Sequence, residues 1–401
     1  MKVLLLAHKI PYPPLDGGSI AIYNTSLGLI ENGIEVEMLA VNPSRERVNE
    51  DVLPEEYKAR TNFCSVSVKT NINPLKAFVN LFKKSSYFVE RFNSKVFTNV
   101  LIKKITSKEF DIIQLEHLYM CLYIETIRKF SKAKIVLRTQ NVEHEIWEGY
   151  LRNTPNSLKK KILKIATIRL KQFEISAISK TDGIIAITPK DANLFKQYNL
   201  SVPVISVPVS FRFEMLNGYD FDKQYETFPG IYHLGSMDWR PNEEAINWFI
   251  EDVFPMAVER IPDIKIYLAG KKMPQYLLEK SNENLFIEGT IEDAIKFQED
   301  KAIMLVPLLS GSGIRAKIVE GMALGKTIIS TSVGAMGIAY TDNENILIAD
   351  SPEEFVLQIE KCIKSKQFCR KIGNNAKSFA MEKFRVSSCA KTMIDFYDIL
   401  N

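Results

Sequence analysis

Four clusters of polar and small residues carry side chains that could bind or act on a ligand. The densest is residues 308–321, LLSGSGIRAKIVEG. A β-branched run ends at Pro307 and Leu308, a loop of small residues follows, and a helix is expected from near Gly313 to Leu324, closed by Gly325. Unpaired amides and the positive end of a helix favour an anion at such a place. Arg315 and Lys317 add two cations to the expected first turns, where they oppose the helix macrodipole and require a compensating negative charge. Ser312, Gly313, Arg315 and Lys317 are therefore candidate ligands of a diphosphate. Glu320 follows Lys317 by one helical turn on the same face, where an acid can hold ribose hydroxyls. The competing reading is a surface helix with an ordinary Lys–Glu pair.

The second cluster, residues 235–242 (GSMDWRPN), also lies between an expected strand and an expected helix, 243–259, capped by Asn242. Gly235 allows close approach of the backbone to a ligand and Arg240 can reach a phosphate. Trp239 packs either under a base or simply within the loop. In the third, residues 13–19 (PPLDGGS), Gly17 and Gly18 open the first helix beside Asp16. This is either a ligand-approach loop or a tight strand-to-helix turn, and its spacing is not the GxGxxG of dinucleotide sites. The fourth gathers His117, at the end of one strand, with Asn141 and His144 after another, in RTQNVEHE. Their position at strand carboxyl ends makes His117 a catalytic candidate, alongside the cations Lys317 and Arg240, and makes Asp16, Asn141 and His144 candidates for contact with a second substrate.

The elements that must position these residues follow from an alternation of short apolar runs with amphipathic segments. Strands are expected at 3–7, 35–41, 111–115, 134–138, 183–188 and 202–207, then at 230–234, 264–269, 285–288, 302–307 and 327–331. A first helix is expected over 19–32, with Gly33 past its end, and another starting at Thr290 and Asp293. Such βα alternation implies parallel sheets covered on both faces. It breaks at 208–228, a polar, aromatic stretch that reads as a linker. The expected class is thus α/β: two Rossmann-like doubly wound domains facing each other across a cleft, 1–207 and 229–383. An apolar last helix, 384–401, needs a surface to bury against.

The 401 residues suit two domains, and 46% hydrophobic with 25% charged residues is the balance of an ordinary folded protein. A net charge of +4 gives no warrant for nucleic-acid binding. Five scattered cysteines and four distant histidines show no metal-ligand spacing and no disulfide framework, so no metal is expected and the compartment is expected to be reducing. The apolar run at 3–7 is too short for a signal peptide, and no stretch nears the ~20 apolar residues of a membrane span, which favours a cytoplasmic protein. Two stretches, 76–104 and 157–171, are basic and amphipathic. They are either solvated faces or contacts to an anionic membrane or a lipid-linked acceptor.

With these motifs in view, the chain resembles the retaining glycosyltransferases of family 4, which have the GT-B fold. The Asp16-Gly17-Gly18 loop, residues 235–241, and the segment GSGIRAKIVEGMALGKTIISTSVGAMGI carry the resemblance, which is similar to a bacterial polysaccharide-assembly subgroup and spans nearly the whole chain. It implies a nucleoside-diphosphate sugar bound mainly by the second domain, a glycan or lipid-linked acceptor bound mainly by the first, and no metal or other cofactor. Glu320 matches the second acid of the family's Glu-x7-Glu motif, which implies ribose contact. His117 resembles the family histidine near the donor sugar, and Gly17 and Gly18 match the glycine loop. The resemblance also implies that the last helix crosses back to the first domain. Two departures stand out: the first acid of the motif is Ser312, and the arginine expected after the strand glycine is Ser236, with Arg240 nearest to replace it. The expected function is sugar transfer with retention of configuration, in surface-polysaccharide biosynthesis. The rivals are a non-catalytic sugar-nucleotide-binding protein and a sugar-nucleotide epimerase.

Overall fold

The computed structural model describes the chain apart from residues 15, 72, 74, 76–78, 81, 82, 84, 153–156, 199, 200, 312 and 313, and apart from the side chains of 158 and 159. It divides into two compact units, Met1–Ser210 with Val386–Asn401, and Phe211–Arg385.

The first unit is built on seven parallel strands: β1 (Lys2–Ala7), β2 (Glu35–Pro43), β3 (Cys64–Val68), β4 (Ile112–Glu116), β5 (Lys134–Thr139), β6 (Gly183–Ala186) and β7 (Val204–Ser206). Their order across the sheet is β3-β2-β1-β4-β5-β6-β7. The central strands are buried along their length, because helices cover both faces. The chain moves outward from β1 to β3, then returns to start again at β4. That reversal opens a crevice beyond the carboxyl ends of β1 and β4, the usual place for a ligand in a doubly wound sheet. The helix Val386–Leu400 packs on the first helix, Gly17–Glu31, so closely that a Cβ on Gly28 would lie 2.7 Å from Val386. Its Tyr397 hydroxyl donates to Gln114 of β4.

The second unit repeats the plan with β8 (Ile231–Leu234), β9 (Ile266–Ala269), β10 (Leu285–Gly289), β11 (Ile303–Val306), β12 (Thr327–Ser330) and β13 (Leu347–Ile348), ordered β10-β9-β8-β11-β12-β13. Its reversal falls between β8 and β11.

Several local expectations are corrected. The stretch from Phe211 to 228 is not a free linker: it folds into the second unit, where Leu216 and Tyr225 join the core and the Phe211 amide donates to Phe384 at 2.6 Å. β3 and β13 were not expected, one being an edge strand only partly buried and the other only two residues long. Asn242 does not cap its helix. The helix begins at Arg240, with Pro241 in its first turn, and Asn242 lies inside it. Asp293, not Thr290, caps Ala294–Glu299, accepting from the Lys296 amide. The helix of the 308–321 segment runs Ala316–Ala323, later than expected, so Arg315 is its capping position and only Lys317 and Glu320 stand on the helix itself.

Candidate functional site

In the second unit, chemistry collects where β8 and β11 end. Gly235 directly follows β8, and a Cβ placed on it would lie 2.8 Å from Lys317 Nζ, 2.9 Å from Asn242 Nδ2 and 2.9 Å from His233 Nε2. These polar atoms therefore ring a hollow that only a glycine leaves open. Each rim atom is held from behind. The Lys317 ammonium donates to Asn242 Oδ1 at 2.9 Å, Asn242 Nδ2 donates to the Ser236 carbonyl at 2.8 Å, and the His233 ring donates from Nδ1 to the Leu305 carbonyl at 2.8 Å. Gly270, after β9, lets the chain cross: a Cβ there would fall 1.7 Å from the Gly235 carbonyl oxygen.

The electrostatics of the hollow are unbalanced. Burial pushes the Lys317 ammonium down to about 7; the nearby Arg315 pushes the same way and Glu320 opposes. Burial, with Lys317 adding to it, holds His233 well below the usual imidazole value, so its ring is neutral. With Nδ1 carrying the proton, Nε2 presents a lone pair to the hollow and has no hydrogen-bond partner among the described residues. Arg315 lies over the Trp239 ring with its guanidinium carbon 5.2 Å from the centroid, and burial pushes it down to about 10. Gly311, at φ +116°, permits this arrangement, since its Cβ would lie 2.7 Å from the Arg315 guanidinium. Two cations so depleted of solvent favour an incoming anion.

Glu320 accepts from Gln298 Nε2 at 3.0 Å, and burial raises its carboxyl above the ordinary value. Arg240, the first residue of its helix, is exposed. Ser312 and Gly313 lie outside the described residues. Gly235, Lys317 and, through Asn242, the Arg240 helix are thus brought together, while Glu320 stands one turn further along the helix.

In the first unit, Asp16 caps the first helix. It accepts from the amides of Gly18 and Ser19 at 2.9 and 3.0 Å and pairs with Lys9 at 2.6 Å. The two glycines differ. A Cβ on Gly17 would meet nothing within 4 Å, whereas one on Gly18 would lie 2.6 Å from Gln140 Oε1 and 3.2 Å from Lys9 Nζ.

His117 follows β4 at φ 102° and ψ 148°, a conformation otherwise almost reserved for glycine and costing about 1–3 kcal/mol. Its Nδ1 accepts weakly from the Tyr119 amide at 3.4 Å, and its Nε2 lies 3.1 Å from Glu143 Oε1. Burial pushes the Glu143 carboxyl up, but His117 and the Tyr119 hydroxyl more than offset it and hold it below the ordinary value. The His8 ring, 4.3 Å from that of His117, donates to the Glu116 carbonyl and is held neutral first by burial, with His117 and Lys9 acting in the same direction. His8, His117, Tyr119 and Glu143 therefore form one group at the β1/β4 reversal.

His144 serves differently. It is buried, with Nδ1 2.6 Å from Glu174 Oε2 and Nε2 3.0 Å from the Tyr198 hydroxyl, so both ring nitrogens are committed to holding its helix. Asn141 lies two residues beyond β5, half-buried. Sequence reasoning missed Lys9, His8, Gln140, Glu143 and His233. Four of them lie on or just past a strand whose end it had placed, so the strand-end rule applied more widely would have reached them. Glu143 is visible only through its contact with His117. Among the described residues no group of three His, Cys, Asp or Glu side chains converges as metal ligands, and no helix is long and apolar enough to cross a membrane.

Residues 229–365, all within the second unit, match the family model described as glycosyl transferases group 1. Over its whole length the chain is similar to an uncharacterized 44.6 kDa protein in the cps region of Klebsiella pneumoniae, 22% identical over 397 residues and covering 96% of each chain. Among solved structures it is similar to sucrose-phosphate synthase of Thermosynechococcus elongatus, with TM-score 0.71 and 15% identity over 100% of this chain and 99% of that one. It is also similar to Anabaena HepE in complex with UDP, with TM-score 0.65 and 12% identity over 100% of both. The fold is thus that of GT-B proteins, two parallel-sheet α/β units in one chain, and its second unit is similar to the glycosyl transferases group 1 model.

Proposed function

We propose that this protein transfers a sugar from a nucleoside-diphosphate sugar to a hydroxyl of a glycan or lipid-linked acceptor, with retention of configuration, in the assembly of a surface polysaccharide. One observation carries the reading. The hollow at Gly235, rimmed by Lys317, Asn242 and His233, opens at the β8/β11 reversal of the very domain that matches the glycosyltransferase family. Its charge suits a phosphate, and a sugar nucleotide is the diphosphate that such a domain would meet. Support also comes from the HepE likeness, a fold of this kind that holds UDP.

Under this reading Lys317 and Arg315 offset the charge of the leaving diphosphate. Ser312 and Gly313, outside the described residues, stay candidate donor ligands, Arg240 reaches the phosphates from its exposed position, and Glu320 takes the ribose. In the first unit Gly18 leaves room for Gln140 beside it, and Asp16 and Lys9 fix the loop that carries Gly17 and Gly18. His117, braced by Glu143, is the catalytic candidate of the first unit, and Asn141 its candidate for acceptor contact. His144 is left out because its ring is already engaged. The acceptor hydroxyl attacks from the face that the diphosphate leaves, and the diphosphate oxygen takes the hydroxyl proton. Cationic side chains replace a metal in this scheme.

Thermal melting of the purified protein against a panel of nucleoside diphosphates and their sugars, with EDTA present, tests it. Ligand at ~100 Kd should stabilise the protein by about 2.7 kcal/mol. A shift with one base family identifies the donor and shows that no metal is needed for binding. Absence of any shift, with and without added divalent ions, would remove Lys317 and Glu320 from the ligand set. Turnover of the donor without an acceptor to a new sugar nucleotide would point instead to an epimerase.

A further inference from the structure

The helix Leu158–Ile178 of the first unit presents an apolar stripe to solvent. Its inward face carries Thr167, Leu170, Glu174, Ala177 and Ile178, all buried against neighbouring elements. At about 100° per residue these positions centre opposite an arc that holds Ile162, Ile165 and Ile168. A surface helix should carry polar residues on that arc. Instead the three isoleucines are 41%, 42% and 48% exposed. Exposed Lys161 and Lys164 stand among them.

The apolar surface continues onto adjoining segments. Ile146 and Tyr150 are exposed on the helix Glu143–Arg152, which packs against this one. Val79 is exposed next to Asn80, whose carbonyl accepts from Arg169 at 2.7 Å.

Charge says what kind of surface would cover the stripe. Residues 157–173 contain Lys159, Lys160, Lys161, Lys164, Arg169 and Lys171 and no acid at all. Six positive charges in one segment exceed the +4 of the entire chain, so the remainder of the molecule is net negative. A solvated face has no need for such segregation, and a protein partner would have to supply both a matching apolar strip and a dense acidic rim. An anionic bilayer supplies both at once. The isoleucines enter the headgroup–acyl boundary, and Lys161 and Lys164, with their long stems, reach lipid phosphates.

We propose that the exposed face of Leu158–Ile178, with Ile146, Tyr150 and Val79 beside it, is a docking surface for an anionic phospholipid membrane. Each lysine near such a surface strengthens binding roughly fivefold at low salt. The isoleucines make the adsorption partly independent of salt, which simple electrostatic attraction is not. The inference stands apart from the sugar-transfer reading, since it uses none of the residues at Gly235 or His117.

Co-sedimentation with vesicles tests it. The full chain is mixed with vesicles of phosphatidylcholine alone, or of phosphatidylcholine with a third phosphatidylglycerol, at 50 and 300 mM salt. Binding is expected to the anionic vesicles only, with a residue of binding persisting at the higher salt. Two variants separate the contributions: Lys161→Glu with Lys164→Glu should weaken binding at least ~25-fold, and Ile165→Ser with Ile168→Ser should abolish the salt-resistant part. All four substitutions are exposed, so thermal melting of the free protein should change little. Equal binding to both vesicle types, no binding to anionic vesicles at 50 mM salt, or binding indifferent to both variants would overturn the proposal. So would a concentration-dependent dimer lost in the isoleucine variant without any vesicle binding, which would assign the face to a second copy of this chain. Capture by a soluble polyanion as strongly as by vesicles, unaffected by the isoleucine variant, would likewise refute a bilayer.

Discussion

Replacing Lys317 by alanine is the sharpest perturbation of the proposed donor site. Its ammonium is held at about 7 by burial, against an ordinary value near 10.5. At pH 8 only about 10% of the free protein therefore carries the proton there. A diphosphate in the Gly235 hollow should restore the charge, so binding at pH 8 should take up about 0.9 proton, and at pH 6 about 0.1. His233 adds nothing to this count, because burial keeps it neutral throughout the range. The sign follows from the same shift. Nucleotide affinity is level below pH 7 and weakens with rising pH above it, up to tenfold per unit. The free protein, by contrast, grows more stable as pH rises from 7 towards 10, because the unfolded chain binds the proton that the folded one sheds.

Loss of one charge-assisted hydrogen bond costs about 1.5–3 kcal/mol of binding, or roughly 10- to 150-fold in Kd. If the charge also develops against the departing diphosphate, kcat falls by a further ~100- to 1000-fold. Titration calorimetry of a nucleoside diphosphate in buffers of different ionisation enthalpy reads the proton count directly. Lys317→Met preserves volume and guards against a packing effect, and thermal melting verifies its fold. Wild-type protein that takes up no proton at pH 8, or a folded Lys317→Met variant with unchanged Kd and the same pH profile, would refute the reasoning.

Three further outcomes follow. Gly235→Ala places a methyl 2.8–2.9 Å from three polar atoms that the hollow needs, so nucleotide-induced stabilisation in thermal melts should vanish while the melt of the free protein drops only a few degrees. Gly17→Ala should leave turnover near that of the parent protein, since nothing lies within 4 Å, whereas Gly18→Ala, 2.6 Å from Gln140, should cut it at least ~10-fold; equal effects of the two would show that the loop does not work by fit. Arg138 and Glu116 form a buried pair at 3.2 Å under the His117 group, so Arg138→Met should cost about 3–5 kcal/mol in urea unfolding, and adding Glu116→Leu should recover most of it.

What the sequence determined by itself was the repeated rhythm. Eleven of the thirteen strands were legible, because buried parallel strands are short unbroken apolar runs between helices whose ends carry Gly, Asp or Ser. The concentration of small and cationic residues around Lys317 was legible for the same local reason. Tertiary structure decided the rest. His233 reads as a lone histidine inside a strand, and only the register of β8 against β11 turns its Nε2 towards Lys317, whose helix lies some eighty residues later. Gly17 and Gly18 are neighbours of one type, yet only the position of Gln140, just past the end of β5, sets the second apart by crowding the place of a Cβ there. Two histidines at strand ends looked alike. Folding gave His144 two partners that lock it, and gave His117 a strained backbone with a carboxylate beside it. Local pattern sets which elements form, since it depends on neighbours in the chain. The partners of each side chain depend on which strand ends the sheet order brings together, and that is settled only when the sheets close.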